Sequence, residues 1–208
     1  MHADPALVTH LACADDRRDP QTRRQLDAFA AATAGLAGAR SIANSAGVLA
    51  WPTARADWVR PGLMLYGASP FPGGTGAELG LRPAMTLRTQ VIAVKHVQAG
   101  ETVGYGGSWT ALRDTRMAVV AAGYGDGYPR AADSGTPVQI GGQRAPLVGR
   151  VSMDMLTVDV TDLPVVAVGD PVVLWGSEIP VEEVAARAGA IAWDLLCGVS
   201  ERVPLEIG

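Results

Sequence analysis

The feature that most constrains the fold is an apolar stretch at residues 58–69 that carries one arginine, Arg60, near its head. A continuous apolar run bounded by turn residues is typical of a buried strand, and an arginine is costly to bury without a partner. The pattern before the stretch alternates strands and helices, whereas the pattern after it is mostly β. The stretch therefore predicts a domain junction and a candidate site at Arg60.

A simpler interpretation stays open on this stretch alone. Arg60 could be a surface arginine at the start of a strand, with Pro61 and Gly62 forming an ordinary turn. Residues elsewhere in the chain decide between the two interpretations.

The first part of the chain predicts strands and helices in turn. An apolar run at 6–12 predicts a strand, and the Asp-Pro pair at 19–20 is a typical helix start, with an N-cap followed by proline at the first position. Residues 41–45 lead into a short helix at 46–50, and a strand is predicted over 58–68. This order is typical of a parallel α/β layer or barrel.

A proline- and glycine-rich linker at 69–76 separates this part from a β-rich one. Closely spaced turn signals between β-prone runs predict a mainly β domain. The predicted strands are 85–97, 115–122, 137–140, 147–160, 171–175 and 202–205, and the predicted short helices are 181–190 and 193–200.

The composition argues against several classes of function. A net charge of −4 and a pI of about 5.3 provide no basic field for nucleic acid. No apolar run reaches the roughly 18 residues that span a bilayer, and the three histidines and two cysteines form no ligand cluster. We therefore expect no nucleic-acid, membrane or metal partner, and a reducing, cytoplasmic location.

Residues of the first part suggest an anion site next to Arg60. Ser45 begins a predicted helix, whose free N–H groups and positive dipole end suit a phosphate, although a plain N-cap serine is the simpler interpretation. Gly62 and Leu63 on the next predicted strand could complete a phosphate cup. His10 ends the first predicted strand, where it is either a packed core residue or an acceptor that orients the guanidinium.

Three motifs of the second part combine polar groups with turns. Tyr105 stands between glycines, which either leaves its phenol exposed or makes it the aromatic plug of a β-turn. Tyr124 lies in a glycine-rich turn after an apolar strand. Met153 precedes Asp154 in a strand-like run, where an aspartate is out of place. None of these motifs is decisive alone.

Taken together and in order, six segments resemble the bacterial alanine racemase family. They are residues 10–15, 43–46, 59–67, 104–106, 123–130 and 149–154. The resemblance covers nearly the whole chain, so the ordered set is far more specific than any single motif.

The resemblance implies a fold, a cofactor and an activity. The family has an amino-terminal eight-stranded β/α barrel that binds pyridoxal 5′-phosphate (PLP), followed by a carboxy-terminal β domain. Residues 1–70 resemble the last strands of that barrel, and residues 71–208 resemble the β domain. The family interconverts L- and D-alanine, which supplies D-alanine for peptidoglycan, and it forms homodimers whose sites are shared between subunits.

The matched positions of the first part imply individual roles toward the cofactor. Ser45, Gly62 and Leu63 match the family's phosphate contacts. Arg60 matches the arginine that faces the pyridine nitrogen, which stays unprotonated because a guanidinium does not give up its proton. His10 matches the histidine that bridges this arginine and the catalytic tyrosine.

The matched positions of the second part imply roles toward the substrate. Tyr105 matches the catalytic tyrosine, the base that acts on L-alanine in the site of the other subunit. Met153 matches a residue whose backbone contacts the substrate carboxylate, and Tyr124 matches a residue of the substrate access path. Trp193 falls where the family has a tyrosine that touches the phosphate and narrows the entrance. Asp15, Arg130 and Arg150 match further positions along the access path.

One family feature is missing from the sequence. The family anchors PLP through a lysine in a Lys-Ala-x-Ala-Tyr-Gly type of motif, and the only lysine here, Lys95, lies in the β part in no such context. Racemisation needs a base on each face of the α-carbon, and that lysine is the family's second base. We therefore expect this chain to be the carboxy-terminal part of an alanine racemase, with little or no activity alone.

Three alternatives stay open. The chain could be a non-catalytic truncated product that only dimerises, or a PLP-dependent decarboxylase, although neither Cys13 nor Cys197 has the setting that those enzymes give a cysteine. It could also be a racemase for serine or another amino acid, a choice that would depend on Trp193 and Tyr124.

Overall fold

The structure is a computed structural model that describes residues 6–207, and the chain divides into two compact units on either side of the Arg82–Pro83 bond. Among the described residues, no helix is both long enough and apolar enough to cross a membrane.

The first unit is a small α/β layer around one pair of parallel strands. Its strands and helices are β1 (Leu7–Val8), α1 (Gln21–Ala32), β2 (Arg40–Ser41), α2 (Ser45–Ala50) and α3 (Gly62–Leu65), with 3-10 turns at Pro52–Ala54 and Ala77–Leu79. Helix α1 connects β1 to β2, as the crossover of a parallel pair requires. The helix starts one residue later than predicted, with Pro20 in the cap position, and Asp19 Oδ1 accepts a hydrogen bond from the Gln21 N–H at 2.7 Å.

The predicted strand over 58–68 is wrong. Only Trp58 forms a β-bridge, to Ser41 of β2, and the chain then turns into the short helix α3. Pro61 directly precedes α3, where proline is tolerated because the N–H groups of a first helical turn have no intrahelical acceptor. A short apolar run has the same composition in a buried strand and in a helix, so periodicity could not separate the two. The strand predicted over 6–12 is likewise reduced to β1.

The core of the first unit lies under the strand pair and α1. Leu11 and Ile42 are buried together with four alanines, and Leu26 and Phe29 of α1 pack against this cluster. The i, i+3 spacing of the two α1 side chains places them on one face of the helix. This packing fixes the carboxyl ends of β1 and β2, where the predicted site residues lie.

The second unit is an antiparallel sheet whose two edges meet. Its six strands are β3 (Leu87–Val97), β6 (Thr115–Val120), β7 (Pro137–Ile140), β8 (Gln143–Pro146), β9 (Leu156–Asp159) and β10 (Pro171–Trp175), in the order β8-β7-β10-β3-β6-β9. Directly after β8, Leu147 bridges Val158 of the opposite edge strand, and the Val148 N–H donates to Thr157 O at 2.8 Å. The sheet is therefore barrel-like.

Smaller elements complete this unit and carry most of its predicted site residues. They are the ribbon β4 (Thr102–Val103) with β5 (Trp109–Thr110), the 3-10 turns Tyr105–Gly107 and Tyr124–Asp126, and the helices α4 (Val181–Arg187) and α5 (Ala192–Gly198). The predicted strands 137–140 and 171–175 are confirmed as β7 and β10. The single strand predicted over 147–160 is wrong, because a loop that contains Gly149 at φ 75° precedes β9. Residues 202–205 form turns and irregular backbone rather than the predicted strand.

Tyr128 lies in the core of the second unit. Its ring stacks on Trp175 with 6.0 Å between the centroids, and only 1% of the residue is exposed. Burial raises the pKa of the Tyr128 phenol well above its usual value, because a phenolate would lose its hydration there. The phenol therefore stays neutral in the folded chain.

We expect Leu147→Ala to lower the free energy of unfolding by about 2–5 kcal/mol, because it leaves a cavity where the sheet edges meet. Leu147 is fully buried, whereas Leu112 is 93% exposed, so Leu112→Ala is the matched control and should change stability by less than about 0.5 kcal/mol. Guanidinium denaturation followed by tryptophan fluorescence measures both variants. Equal shifts of the denaturation midpoints of the two variants would contradict the burial of Leu147 where the sheet edges meet.

We expect Tyr128→Phe to remove one source of alkaline instability. A phenol with a raised folded-state pKa contributes stability that is complete below the unfolded-state pKa near 10 and is lost as the pH rises above it. This group alone costs the wild type about 1.4 kcal/mol per pH unit in that range, a loss that the variant lacks. Thermal unfolding in a pH series up to about 11 measures the slope. Tyr124→Phe is the control at a partly exposed tyrosine, and an identical slope in wild type and Tyr128→Phe would refute the assignment.

Candidate active site

Arg60 is held at the carboxyl ends of β1 and β2 by neutral oxygen atoms. Its Nη1 donates to Ser41 Oγ at 2.6 Å, and its Nη2 donates to the Thr9 carbonyl oxygen at 2.7 Å. The Arg60 backbone N–H donates to the carbonyl oxygen of Ala43 at 2.8 Å. The half-buried guanidinium is thus fixed to both strands of the first unit.

The neutral partners orient Arg60 without neutralising its charge. Among the described residues, no carboxylate forms an ion pair with this guanidinium. A guanidinium has five N–H groups and does not give up a proton at physiological pH. Arg60 therefore keeps donors available for a further acceptor, which is the arrangement that a ring nitrogen would need.

His10 follows Thr9, whose carbonyl oxygen accepts from Arg60, but His10 itself is not among the hydrogen-bond partners that Arg60 has in the described residues. The His10 side chain is exposed, and its carbonyl oxygen accepts a hydrogen bond from Gln25 Nε2 at 2.5 Å. The carbonyl of Thr9, one residue earlier, takes the position next to the guanidinium. The bridge from His10 to Arg60 and Tyr105 stays a prediction.

The starts of α2 and α3 come together in the first unit. Asn44 caps α2, with its Oδ1 accepting the Gly47 N–H at 2.9 Å, and Ser45 is the first residue of that helix. The Met64 N–H in α3 donates to Ser45 Oγ at 3.2 Å, which joins the two helix starts. Such a pair of amino-terminal ends presents N–H groups and positive dipole ends to an anion.

Gly62 and Leu63, the two residues of α3 that were predicted to contact a phosphate, differ in whether their backbone N–H groups are already hydrogen-bonded. The Gly62 N–H already donates to the carbonyl oxygen of Arg60 at 3.0 Å. The Leu63 N–H has no hydrogen-bond partner among the described residues. Ser45 and Leu63 are therefore better placed than Gly62 to donate to a phosphate.

Tyr105 is displayed on a rigid turn of the second unit. The side chain is 67% exposed and follows Gly104, whose φ is 83°. A Cβ at Gly104 would lie 2.7 Å from the backbone nitrogen of Arg150. Gly149 supports the same contact, because a Cβ there would lie 3.1 Å from the Val103 carbonyl oxygen. Both glycines are required for the two backbones to meet and to fix the turn that carries Tyr105.

Tyr124 and Met153 lie on two loops that are joined by backbone hydrogen bonds. The Tyr124 N–H donates to Ser152 O at 3.0 Å, and the Gly125 N–H donates to Met153 O at 2.8 Å. A Cβ at Gly123 would overlap both of these carbonyl groups, which explains the glycine-rich motif. The Met153 N–H has no partner in the described part of the chain, so it is available to a ligand.

Arg202 is a charged contact of these loops that the sequence analysis missed. It forms ion pairs with Asp154 and Asp126, although residues 202–205 were predicted as a strand. Two aspartates in the sequence indicate that a cationic partner is needed: Asp154 stands out of place in an apolar run, and Asp126 lies in the glycine-rich turn. The sequence does not indicate which cation that is, because Arg202 lies 48 residues beyond Asp154.

Comparison with known proteins assigns both units. Residues 5–70 match the family model "Alanine racemase, N-terminal domain", and residues 84–207 match "Alanine racemase, C-terminal domain". The chain belongs to the alanine racemase family.

Curated alanine racemases match along almost the whole chain. The chain is 56% identical to that of Halorhodospira halophila, over 99% of this chain and 57% of the relative. It is 57% identical to that of Shewanella amazonensis, over 95% of this chain and 54% of the relative. The chain thus spans a little over half the length of these alanine racemases.

Solved alanine racemases have the same fold. The crystal structure of biosynthetic alanine racemase from Pseudomonas aeruginosa has a TM-score of 0.93 and 52% identity, covering 97% of this chain and 56% of that one. The alanine racemase from Bartonella henselae with covalently bound pyridoxal phosphate has a TM-score of 0.84 and 33% identity, covering 95% of this chain and 55% of that one. The predicted membership of the alanine racemase family is confirmed.

The structure distributes the family positions over both units. Arg60, His10, Ser45, Gly62 and Leu63 lie in the first unit, and Tyr105, Tyr124, Met153 and Trp193 lie in the second. Trp193 is half-buried on α5. Lys95 is exposed on β3, opposite Met117 of β6. In residues 6–207, no group of three or more His, Cys, Asp or Glu side chains could hold a metal ion.

We expect Gly104→Ala to destabilise the turn of Tyr105 far more than Gly106→Ala does. Both glycines have positive φ, at 83° and 73°, so each substitution carries about 1–2 kcal/mol of backbone strain. Only a Cβ at residue 104 meets the backbone of Arg150, whereas a Cβ at residue 106 has nothing within 4 Å. Chemical denaturation measures stability, and acrylamide quenching of Trp109 fluorescence reports the local change. Equal losses in both variants would rule out the backbone contact.

Proposed function

We propose that this chain provides the cofactor-holding arginine, part of the phosphate site and the catalytic tyrosine of a PLP-dependent alanine racemase. The observation that carries the proposal is the cationic Arg60, held by neutral oxygens with donors left over. Most PLP sites that protonate the pyridine nitrogen use a carboxylate. An arginine at that position instead favours an unprotonated ring nitrogen and a proton-transfer reaction with few side reactions.

The residues present fit the cofactor. Ser45 and Leu63 would hold the phosphate through the joined starts of α2 and α3, with Gly62 next to them and Trp193 as a further contact. Arg60 would donate to the pyridine nitrogen. The chemistry that PLP supplies when bound is withdrawal of electrons from the α-carbon, which makes the α-proton acidic enough to transfer.

Tyr105 is proposed as the base that takes the α-proton of L-alanine, and in the reverse direction it would return a proton to the same face to form L-alanine. Its phenol is two-thirds exposed on a turn fixed by glycine contacts, which suits a side chain that serves the site of a second copy of the protein. A homodimer with shared sites is therefore part of the proposal. The partly exposed Tyr124 would line the access path, and the Met153 N–H, which has no partner among the residues the structure describes, would donate to the substrate carboxylate.

The second base is not a lysine of this chain. Lys95 is the only lysine, and it lies exposed on a strand of the barrel-like sheet, in no family context. Racemisation requires proton transfer on both faces of the α-carbon. We propose that residues outside these 208 supply the second base and the covalent anchor, and that the chain alone does not racemise alanine. A cytoplasmic location and a role in D-alanine supply belong to the same proposal.

We expect exchange of the α-proton of alanine to require this chain fused to the amino-terminal part of an alanine racemase. The chain alone, with PLP and L-alanine in deuterated water, should show no loss of the α-H signal in proton NMR. A fusion of residues 6–207 to the amino-terminal part of the Halorhodospira halophila enzyme should show exchange and formation of D-alanine. Exchange by the chain alone would reveal a second base within it, and an inactive, folded fusion that binds PLP would argue for the non-catalytic alternative.

We expect Tyr105→Phe in that fusion to separate the two faces of the reaction. Loss of one base should slow exchange from L-alanine by about 10²–10⁴-fold, whereas exchange from D-alanine, which uses the other base, should persist. Leu112→Ala is the control at an exposed apolar side chain of the same unit and should leave both rates unchanged. Equal slowing from both enantiomers would contradict a one-face role for Tyr105.

A further inference from the structure

Arg202 forms an ionic link across the two loops that carry Tyr124 and Met153. Its Nη2 donates to Asp154 Oδ1 at 2.6 Å, and its Nε lies 3.6 Å from Asp126 Oδ1. Asp154 directly follows Met153, and Asp126 ends the turn that begins at Tyr124. One side chain thus ties both loops together at the residues next to the proposed substrate contacts.

One of the two carboxylates, that of Asp126, is fixed by the backbone, whereas the Asp154 side chain is about as exposed as that of Arg202. The other oxygen of Asp126, Oδ2, accepts the Gly123 N–H at 2.9 Å, and only 18% of the Asp126 side chain is exposed. The guanidinium lies against Gly125, where a Cβ would overlap Nη1. An isolated surface pair contributes little to stability, but Arg202 also lies next to Asp126, whose carboxylate is already fixed by the turn.

The segment that carries Arg202 is itself anchored to the same turn. Ser200 Oγ donates to Gly125 O at 2.9 Å, and the Ser200 N–H donates to Asp126 O at 3.1 Å. The Val203 N–H then donates to Ser200 O at 3.1 Å, which turns the chain at residues 200–203. Arg202 is therefore presented to the two carboxylates by a folded segment, although half of its side chain is exposed.

The two carboxylates also act on the charge of Arg202. Its pKa is raised above the usual value, first by the hydrogen bond to Asp154 and then by the negative charges of Asp126 and Asp154. The guanidinium therefore remains charged at any pH at which the chain is folded. The positive charge of Arg202 also compensates the negative charge of Asp154, the residue after Met153. Without Arg202, the Asp154 carboxylate would repel a carboxylate bound at the Met153 N–H.

We propose that Arg202 is a positioning residue for the carboxylate of the substrate. It holds the loop of Met153 against the turn of Tyr124 and compensates the charge of Asp154, so that the Met153 N–H, which has no partner in residues 6–207, can donate to an anionic ligand. This inference rests on the proposed function, which makes that ligand the carboxylate of alanine. The inference extends it by adding a residue that touches neither substrate nor cofactor.

The test uses the 208-residue chain and propionate, which carries the carboxylate of alanine and lacks its amine. We expect the Met153 amide resonance in a ¹H–¹⁵N spectrum to shift on titration with propionate. In Arg202→Ala the affinity should fall by about tenfold, the equivalent of one charged hydrogen bond. Hydrogen exchange of the Tyr124 and Gly125 amides should also accelerate, because both donate to the Met153 loop.

Arg88→Ala is the matched control for a lost surface ion pair. Arg88 pairs with Glu206, and both side chains are more than two-thirds exposed, at 67% and 73%. This variant should keep the wild-type propionate affinity and amide exchange. Asp154→Asn is the second variant if Arg202→Ala does not fold, because it keeps an oxygen acceptor and removes one charge. It should accelerate the exchange of the Tyr124 and Gly125 amides relative to wild type.

The outcomes separate this inference from the proposed racemase activity. A propionate affinity in Arg202→Ala equal to that of wild type overturns the inference, as does a wild-type Met153 amide that does not respond to propionate. Asp154→Asn with unchanged amide exchange at Tyr124 and Gly125 also overturns it. A propionate response that depends on Arg202, together with an inactive fusion enzyme, would support the carboxylate site and refute only the proposed racemase activity.

Discussion

Close contact between backbone segments is the constraint on which the second unit depends. Gly104 meets the chain at Gly149, Gly123 meets the carbonyl of Met153, and Gly127 meets the last turn of α5. At each point a Cβ would force the segments apart or shift a neighbouring carbonyl. The phenol of Tyr105, and the Met153 N–H that has no partner within residues 6–207, are therefore displayed on loops whose backbones hold one another in place. These loops are held in place by direct contact between backbones at glycines, rather than by the packing of side chains.

In the first unit the main constraint is the position and orientation of the Arg60 guanidinium. Arg60 is bonded to a serine hydroxyl and a backbone carbonyl at the ends of two parallel strands. A carboxylate partner would have fixed it equally well but would have screened its charge. Neutral acceptors orient the guanidinium and leave its field available. The position at the carboxyl end of parallel strands agrees with where β/α folds place their ligands.

Much of this organisation could be predicted from sequence, and the failures have a physical cause. Residues 137–140 and 171–175 are short, mostly apolar runs that begin at a proline and lie between turn signals, so their strands were predicted to the residue. The run at 58–68 is also mostly apolar, and tertiary contacts decide that it becomes a bridge and a helix. Arg202 could not be found by pattern, because its partners Asp126 and Asp154 are distant in sequence and meet it only through the fold.

The placement of the lone lysine has a practical consequence for cofactor chemistry. Aldehydes such as PLP react with any accessible amine, and Lys95 is the only side-chain amine in the sequence. It stands on the exposed face of β3, far along the chain from Arg60 and Ser45. After borohydride reduction, a pyridoxyl group attached to a side-chain amine of this polypeptide could be attached only to Lys95. Peptide mapping of the label to β3 would therefore identify it as adventitious labelling. Retention of the cofactor by contacts alone would leave no side-chain adduct behind.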